Sequence, residues 1–247
     1  MSLQITIANA AYRRRRVLHD IRLDANDGEL IALIGRNGCG KSTLISCLAS
    51  LLPFKGSVVA DGRILNELSP RERAAHVGAL LQQSGVPHLT VRELVGMGRT
   101  PHRGILSLPR AFDEEAVTRA LIDADLLPLA DHYADRISGG ELRRAYFAML
   151  LAQDARNVLL DEAGAFLDAA HDRRLWEMTR LLCARGKSVL CVTHDLSSAI
   201  RYADKILLLQ DGEQLFFGET DALLETTLIE DTLGVHRYPA DGRVFFA

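Results

Sequence analysis

The chain is poor in cysteine, nearly balanced in charge and free of long apolar runs, and each shortage excludes a class of protein. Four cysteines, Cys39, Cys47, Cys183 and Cys191, are spread over 247 residues. No pair has zinc-ligand or C-x-x-C spacing, and a chain this long with so few cysteines is not a disulfide scaffold. A reducing compartment is the expected setting. The formal net charge is −3, so nothing in the charge balance calls for nucleic acid as a partner. The one basic run, Arg13 to Arg16, is too short for a lipid or nucleic-acid patch and is expected to be a solvated loop face. No stretch reaches the roughly 18 apolar residues of a transmembrane helix. The N-terminus lacks the order of a signal peptide, because its charges follow a short alternating segment. Any service to a membrane is therefore expected to pass through a partner. There is no internal repeat and no low-complexity linker.

What is present reads as a single α/β unit with an insertion. Leu3, Ile5 and Ile7 alternate with polar or small residues, as in a half-buried strand. Glu29 to Ile34 is a short apolar run before a glycine-rich loop. Lys41 to Leu51 reads as helix, ended by Pro53. Ser57 to Ala60 is a strand followed by the Asp61-Gly62 turn signal, and Val77 to Leu81 is another apolar run. From Ser84 to Ala155 the pattern turns helical. Val117, Ala120, Leu121 and Ala124 fall at i, i+3, i+4, i+7, as do Leu142, Ala145, Tyr146 and Met149. Strand-like runs resume at Asn157 to Leu160, Ser188 to Val192 and Lys205 to Leu209, with a helical stretch carrying Leu175, Met178 and Leu182 between the first two. Strands alternating with helices imply a mostly parallel sheet. The helical stretch, roughly 84–155, is an insertion between core segments 1–83 and 156–247. The tail after Gly212 suggests a short hairpin and small helices.

The chemistry is concentrated at Gly35-Arg36-Asn37-Gly38-Cys39-Gly40-Lys41-Ser42-Thr43, which matches G-x-x-x-x-G-K-[ST] between a strand and a helix. The glycines let the backbone curl so that successive N–H groups point at phosphate oxygens. The following helix aims its positive end at the same place. Lys41 suits the β- and γ-phosphates of ATP, and the Ser42 hydroxyl suits Mg²⁺. Cys39, at a helix N-terminus, sits in surroundings that lower a thiol pKa; the plainer alternative is a small residue that happens to be cysteine.

Three further clusters fit a phosphoryl site. Asn157 to Leu160 is an apolar strand ending in Asp161 and Glu162. A strand end beside a phosphate loop is where a Mg²⁺-holding aspartate belongs, with Glu162 as general base toward the attacking water. His194 follows the run Ser188 to Val192 and is either a plain loop residue or a donor to the γ-phosphate. Ser138-Gly139-Gly140-Glu141 opens a helix. Ser138 and Glu141 form a capping box, and Gly139 and Gly140 expose N–H groups that suit an anion. Capping and phosphate contact are compatible, since the Ser138 hydroxyl has one donor and two acceptor sites.

Together these motifs resemble the ATPase subunits of ATP-binding-cassette (ABC) transporters over nearly the whole chain. Gly35 to Thr43 is similar to the Walker A motif, Val158 to Asp161 to Walker B, and Glu162 to the catalytic glutamate. Ile137 to Glu141 resembles the L-S-G-G-Q signature, His194 the switch histidine and Asp168 the aspartate of the D-loop. Gln83 resembles the Q-loop glutamine that reaches the catalytic metal, with Gln82 the neighbouring alternative. Tyr12 stands where the family stacks an aromatic ring on adenine. The resemblance implies a head-to-tail homodimer in which each ATP lies between Walker A of one copy and Ser138, Gly139 and Gly140 of the other. It also implies docking, through the helical insertion, on membrane-spanning permease subunits at the cytoplasmic side of the inner membrane, served by a substrate-binding protein.

A narrower likeness rests on Thr90 to Pro101, on Ala148 to Asp154 and on the cysteine in Walker A. These resemble the importers of ferric siderophores, haem and cobalamin. The chain departs from the family at Ala163 to Phe166, where D-E-P-T-S-A-L-D is usual. The proline restraint is absent there, and Phe166 is bulky where alanine is usual. Glu141 replaces the signature glutamine. Two other functions fit the same motifs: an ATPase of a soluble, non-transport ABC class, and an ATP-gated clamp whose altered D-loop has lost turnover.

Overall fold

The computed structural model describes residues 3–12, 15–81, 85–103, 111–161, 169–240 and 243–246. The chain runs β1 (Leu3–Tyr12), β2 (Arg15–Ala25), β3 (Leu30–Gly35), α1 (Lys41–Leu48), β4 (Phe54–Ala60), β5 (Arg63–Ile64), α2 (Pro70–His76), β6 (Val77–Leu80), α3 (Val91–Gly96) and α4 (Ala111–Asp123). It continues with α5 (Gly139–Gln153), β7 (Asn157–Asp161), α6 (Ala169–Ala184), β8 (Ser188–Val192), α7 (Leu196–Tyr202), β9 (Lys205–Gln210) and β10 (Glu213–Glu219). Helices α8 (Thr220–Leu224) and α9 (Leu228–Leu233) and the hairpin β11 (Arg237–Ala240) and β12 (Arg243–Phe246) complete it.

Five neighbouring strands, in the order β9-β3-β8-β7-β6, pair in parallel. Strands β5-β4-β1-β2 form an antiparallel extension, joined to the parallel part through β10. The parallel strands are apolar at successive positions because both faces are covered. Leu30, Ala32 and Ile34 of β3 pack into one core, with Val158, Val189 and the helices α3 to α7. Ile31 and Leu33 pack into a second core on the opposite face, with α1 and the antiparallel strands. Helices α3, α4 and α5 pack on one another. Buried there are Val117, Ala120, Leu121 and Ala124 of α4 and Ala145 and Tyr146 of α5; Leu142 and Met149 lie partly buried against the same core.

Two local expectations are corrected. Arg13 and Arg14 lie outside the described residues, but Arg15 and Arg16 open β2 and pair with Tyr12 and Ala11, so they are exposed strand residues and not a loop face. Helix α1 stops at Leu48 and not at Leu51, because Ser50 takes a left-handed φ of 61° and turns the chain out of the helix. The segment after Gly212 begins with strand β10, paired with β9 and β2, and then holds the expected small helices, α8 and α9, and the expected short hairpin, β11 and β12.

Candidate active site

The phosphate loop joins β3 to α1. Gly35, Gly38 and Gly40 all take positive φ (152°, 80° and 114°), and Gly40, the residue before α1, has no side-chain hydrogen bond to the helix. Asn37 and Gly38 are exposed at the loop tip, whereas Cys39, Gly40, Lys41 and Thr43 are buried. The Lys41 ammonium is held in the mouth of the loop, donating to Gly35 O at 2.7 Å and Arg36 O at 3.1 Å. The curled backbone turns two carbonyl oxygens onto the ammonium and keeps its positive charge at the mouth of the loop, where an anion would be attracted.

Asp161, the last residue of β7, is buried, and its Oδ1 lies 3.5 Å from Ser42 Oγ. A carboxylate and a hydroxyl oxygen at this separation suit a hard cation, which takes few protein oxygens and completes its shell with phosphate and water. Glu162, Asp168, Gln83 and its alternative Gln82 lie outside the described residues, as does Ala163 to Phe166. His194 follows β8 and is exposed; with Gly35, Arg36, Asn37 and Thr193 it lines a cleft of about 480 Å³ whose lining also includes Leu196, Leu233 and Val235. Tyr12 ends β1 with 49% of its surface exposed. It belongs to the same hairpin as Leu18, which packs against Gly40.

Cys39 overturns the lowered-pKa expectation. Burial dominates and raises its pKa, outweighing the Lys41 charge and the backbone N–H groups that pull the other way, with nearby Asp211 adding to the rise. Its side chain packs in the core under the loop, so this cysteine is a space-filling residue.

Ser138 caps α5. It accepts from Glu141 N (3.3 Å), donates its hydroxyl to Glu141 Oε2 (2.7 Å), and its own N–H reaches the same oxygen (2.8 Å). These bonds hold the Glu141 pKa below the usual carboxylate range. The only hydroxyl proton of Ser138 is thus directed at Glu141, and the donors left for an anion are the N–H groups of Gly139 and Gly140, which a first helical turn cannot use internally. Ser138, Gly139 and Gly140 are on the surface, set on a different element from the phosphate loop.

Gly212 also shapes the loop, with no local signal of that role. Gly212 N donates to Cys39 O at 2.9 Å, and Gly212 O accepts from His19 N at 2.8 Å. The β9–β10 turn thereby braces the phosphate loop against β2. The pair Asp211-Gly212 between apolar runs signals a hairpin turn, yet nothing local says what that turn touches.

Comparison with known proteins agrees with this geometry. A family profile described as "ABC transporter" matches residues 18–165. The chain is 37% identical to the ferric enterobactin transport ATP-binding protein FepC of Escherichia coli (strain K12), over 91% of this chain and 84% of that protein. It is 38% identical to the hemin import ATP-binding protein HmuV of Gloeobacter violaceus, over 92% and 87%. Among solved structures, the ADP conformation of an ATP-binding cassette of an ABC transporter superposes with a TM-score of 0.83 at 20% identity, covering 95% of this chain and 98% of the other. That likeness shows a shared fold.

Proposed function

This chain belongs to the ABC transporter family, and from that premise we propose that it is the ATP-hydrolysing subunit of an importer whose cargo is a ferric siderophore or haem. The observation that carries the catalytic half is the meeting of Ser42 Oγ and Asp161 Oδ1 at 3.5 Å beside the buried Lys41 ammonium. The cargo class is supported by the relatives, one for ferric enterobactin transport and one for hemin import.

In this proposal Lys41 and the loop N–H groups bind the β- and γ-phosphates and orient the chain of phosphorus atoms. Ser42 and Asp161 hold Mg²⁺, which neutralises phosphate charge when bound. Glu162 takes a proton from the attacking water as the γ-phosphorus–oxygen bridge to ADP breaks. His194 donates to the γ-phosphate, Gln83 senses the metal and water, and Tyr12 stacks on adenine. A second copy supplies Ser138, Gly139 and Gly140 from the opposite side, and the two copies form a homodimer. The γ-phosphate then competes with Glu141 for the Ser138 proton. Asp168 crosses between the copies.

No helix among the described residues is long and apolar enough to cross a membrane. The proposal places the chain at the cytoplasmic face of the inner membrane, held by permease subunits that the part around 84–155 meets and fed by a substrate-binding protein.

The test is Glu162→Gln in the complex with its permease. ATP binding is expected to persist while phosphate release falls about 10²- to 10⁴-fold, the contribution of a positioned base. Uptake of ⁵⁵Fe-siderophore and of haem by cells lacking the chain tests the cargo. Normal turnover in the variant removes Glu162 from its role, and unchanged uptake of both iron cargoes removes the cargo class.

A further inference from the structure

The two stretches that carry the narrower likeness, Thr90 to Pro101 and Ala148 to Asp154, are far apart in sequence and meet at the last turn of α5. Arg99 Nη1 donates to Ala152 O at 2.7 Å. His102 Nε2 donates to Gln153 O at 2.6 Å, since a carbonyl only accepts. Gly98 is pressed so close that a Cβ would collide with Met149 O and stand 3.0 Å from Gln153 N. Arg99 is in turn fixed by Asp113 at the start of α4, with Nε 3.0 Å from Oδ1; Arg103 Nε reaches the other oxygen at 3.2 Å, and Asp113 has no exposed surface.

The Gln153 side chain faces the other way, toward the sheet. Its Nε2 donates to Ala74 O at 2.7 Å and Val77 O at 3.3 Å, joining the end of α5 to α2 and to the first residue of β6. Strand β6 pairs in parallel with β7, which ends at Asp161, and the chain beyond β6 leads to Gln83. Asp154, the C-cap of α5, is held by Lys187 Nζ at 2.7 Å.

Helix α5 therefore has one secured end and one exposed end. The secured end is bonded to the 97–102 turn, to β6 and to Lys187; the exposed end carries Ser138. Its 15 residues span about 22 Å, so a tilt of about 10° around the secured end carries Ser138 through roughly 4 Å. A shift of that size at one hydrogen-bonded end is felt at the other only if the joint transmits it.

We propose that Gln153 is a positioning residue that makes the last turn of α5 a fulcrum, so that movement of the Ser138 end and movement of the strand leading to Gln83 occur together. The idea rests on the ATPase reading above. It gives Gln153 no contact with nucleotide and predicts that losing its two donated hydrogen bonds separates ATP-driven motion at Ser138 from motion at β6.

The test compares Gln153→Met, which keeps length and helix preference but donates nothing, with Gln153→Lys, which is one atom longer and flexible enough to donate to the same carbonyls. Hydrogen exchange of the β6 amides Val77 to Leu80 and of the first turn of α5 is followed with and without ATP, alongside KM and kcat for ATP. Gln153→Met is expected to keep KM within twofold and the ATP response of the α5 first turn, while the β6 response falls at least fivefold. Gln153→Lys is expected to restore it to within twofold. An unchanged β6 response in Gln153→Met overturns the proposal, as does a loss in Gln153→Lys equal to that in Gln153→Met. Both readouts are made on nucleotide alone, so a failure of iron-cargo uptake leaves them to decide this point separately.

Discussion

Gly40 gives the most searching test of how the phosphate loop keeps its shape. It adopts φ 114° and ψ 3° immediately before Lys41. Holding an L residue there costs about 1–3 kcal/mol. A Cβ would also stand 2.7 Å from Leu18 Cδ2 and 3.4 Å from Val17 O. Leu18 is fully buried, so its methyl has nowhere to retreat, and overpacking adds about 1–3 kcal/mol. Gly40→Ala is therefore expected to destabilise the fold by about 2–6 kcal/mol, read by urea unfolding. The two costs separate in a double-mutant cycle. Leu18→Ala alone costs about 2–5 kcal/mol. Combined with Gly40→Ala it removes the colliding methyl and leaves the backbone cost. The pair should then be less destabilised than the sum of the singles by about 1–3 kcal/mol. The loop aims its N–H groups by backbone geometry, so its displacement should also weaken ATP about tenfold or more, measured by fluorescent-nucleotide titration. Additive losses around the cycle would refute the Leu18 contact as the steric cause. Unaltered ATP affinity in Gly40→Ala would refute the claim that loop shape governs phosphate binding.

Lys41→Met removes a charge-assisted bond to phosphate worth about 1.5–3 kcal/mol, so ATP affinity should fall about 10- to 150-fold; binding within twofold of the parent counts against the assignment. Asp113→Ala leaves the Arg99 guanidinium buried without its carboxylate and should cost about 3–5 kcal/mol in unfolding free energy, whereas a loss below about 1 kcal/mol would mean Arg99 is served well enough without that ion pair. Burial pushes the thiols of Cys47 and Cys183 up to about 11, from 9.0 for an ordinary thiol. The unfolded chain gives up these protons first, so stability should fall as pH rises through about 9 and level off beyond about 11, by about 3 kcal/mol for each thiol. Urea unfolding between pH 8 and 11 checks this, and a Cys47→Ala chain with the same alkaline loss as its parent would show that thiol to be irrelevant.

Much of the site was legible because its rules are local. The order strand, glycine-rich loop, lysine, helix is a property of consecutive residues, and the structure places β3, the loop and α1 accordingly. Asp161 was legible as an apolar strand's acidic end, although the 3.5 Å approach to Ser42 spans distant parts of the chain. The capping box at Ser138 was legible from spacing, but not where the hydroxyl proton points. Strand β2 was harder to see, since Arg15 and Arg16 open it and only pairing with β1 makes them strand. Helix α1 ends well before Pro53, the local stop signal, because Ser50 turns the chain first, and nothing in the residues around Ser50 announces its left-handed φ.

The sequence by itself determined that a glycine-rich strand-to-helix loop of the phosphate-binding pattern lies at Gly35 to Thr43 and which side chains stand beside it, since backbone curl, helix polarity and residue chemistry are set within a few positions. The tertiary structure decided how those groups behave. Burial under the loop turned Cys39 from a candidate reactive thiol into core. The Gly212 turn became a brace for the loop, and Gln153 became the joint between α5 and β6. Desolvation and hydrogen bonding act over a few ångströms, and only folding brings residues separated by tens of positions within that range.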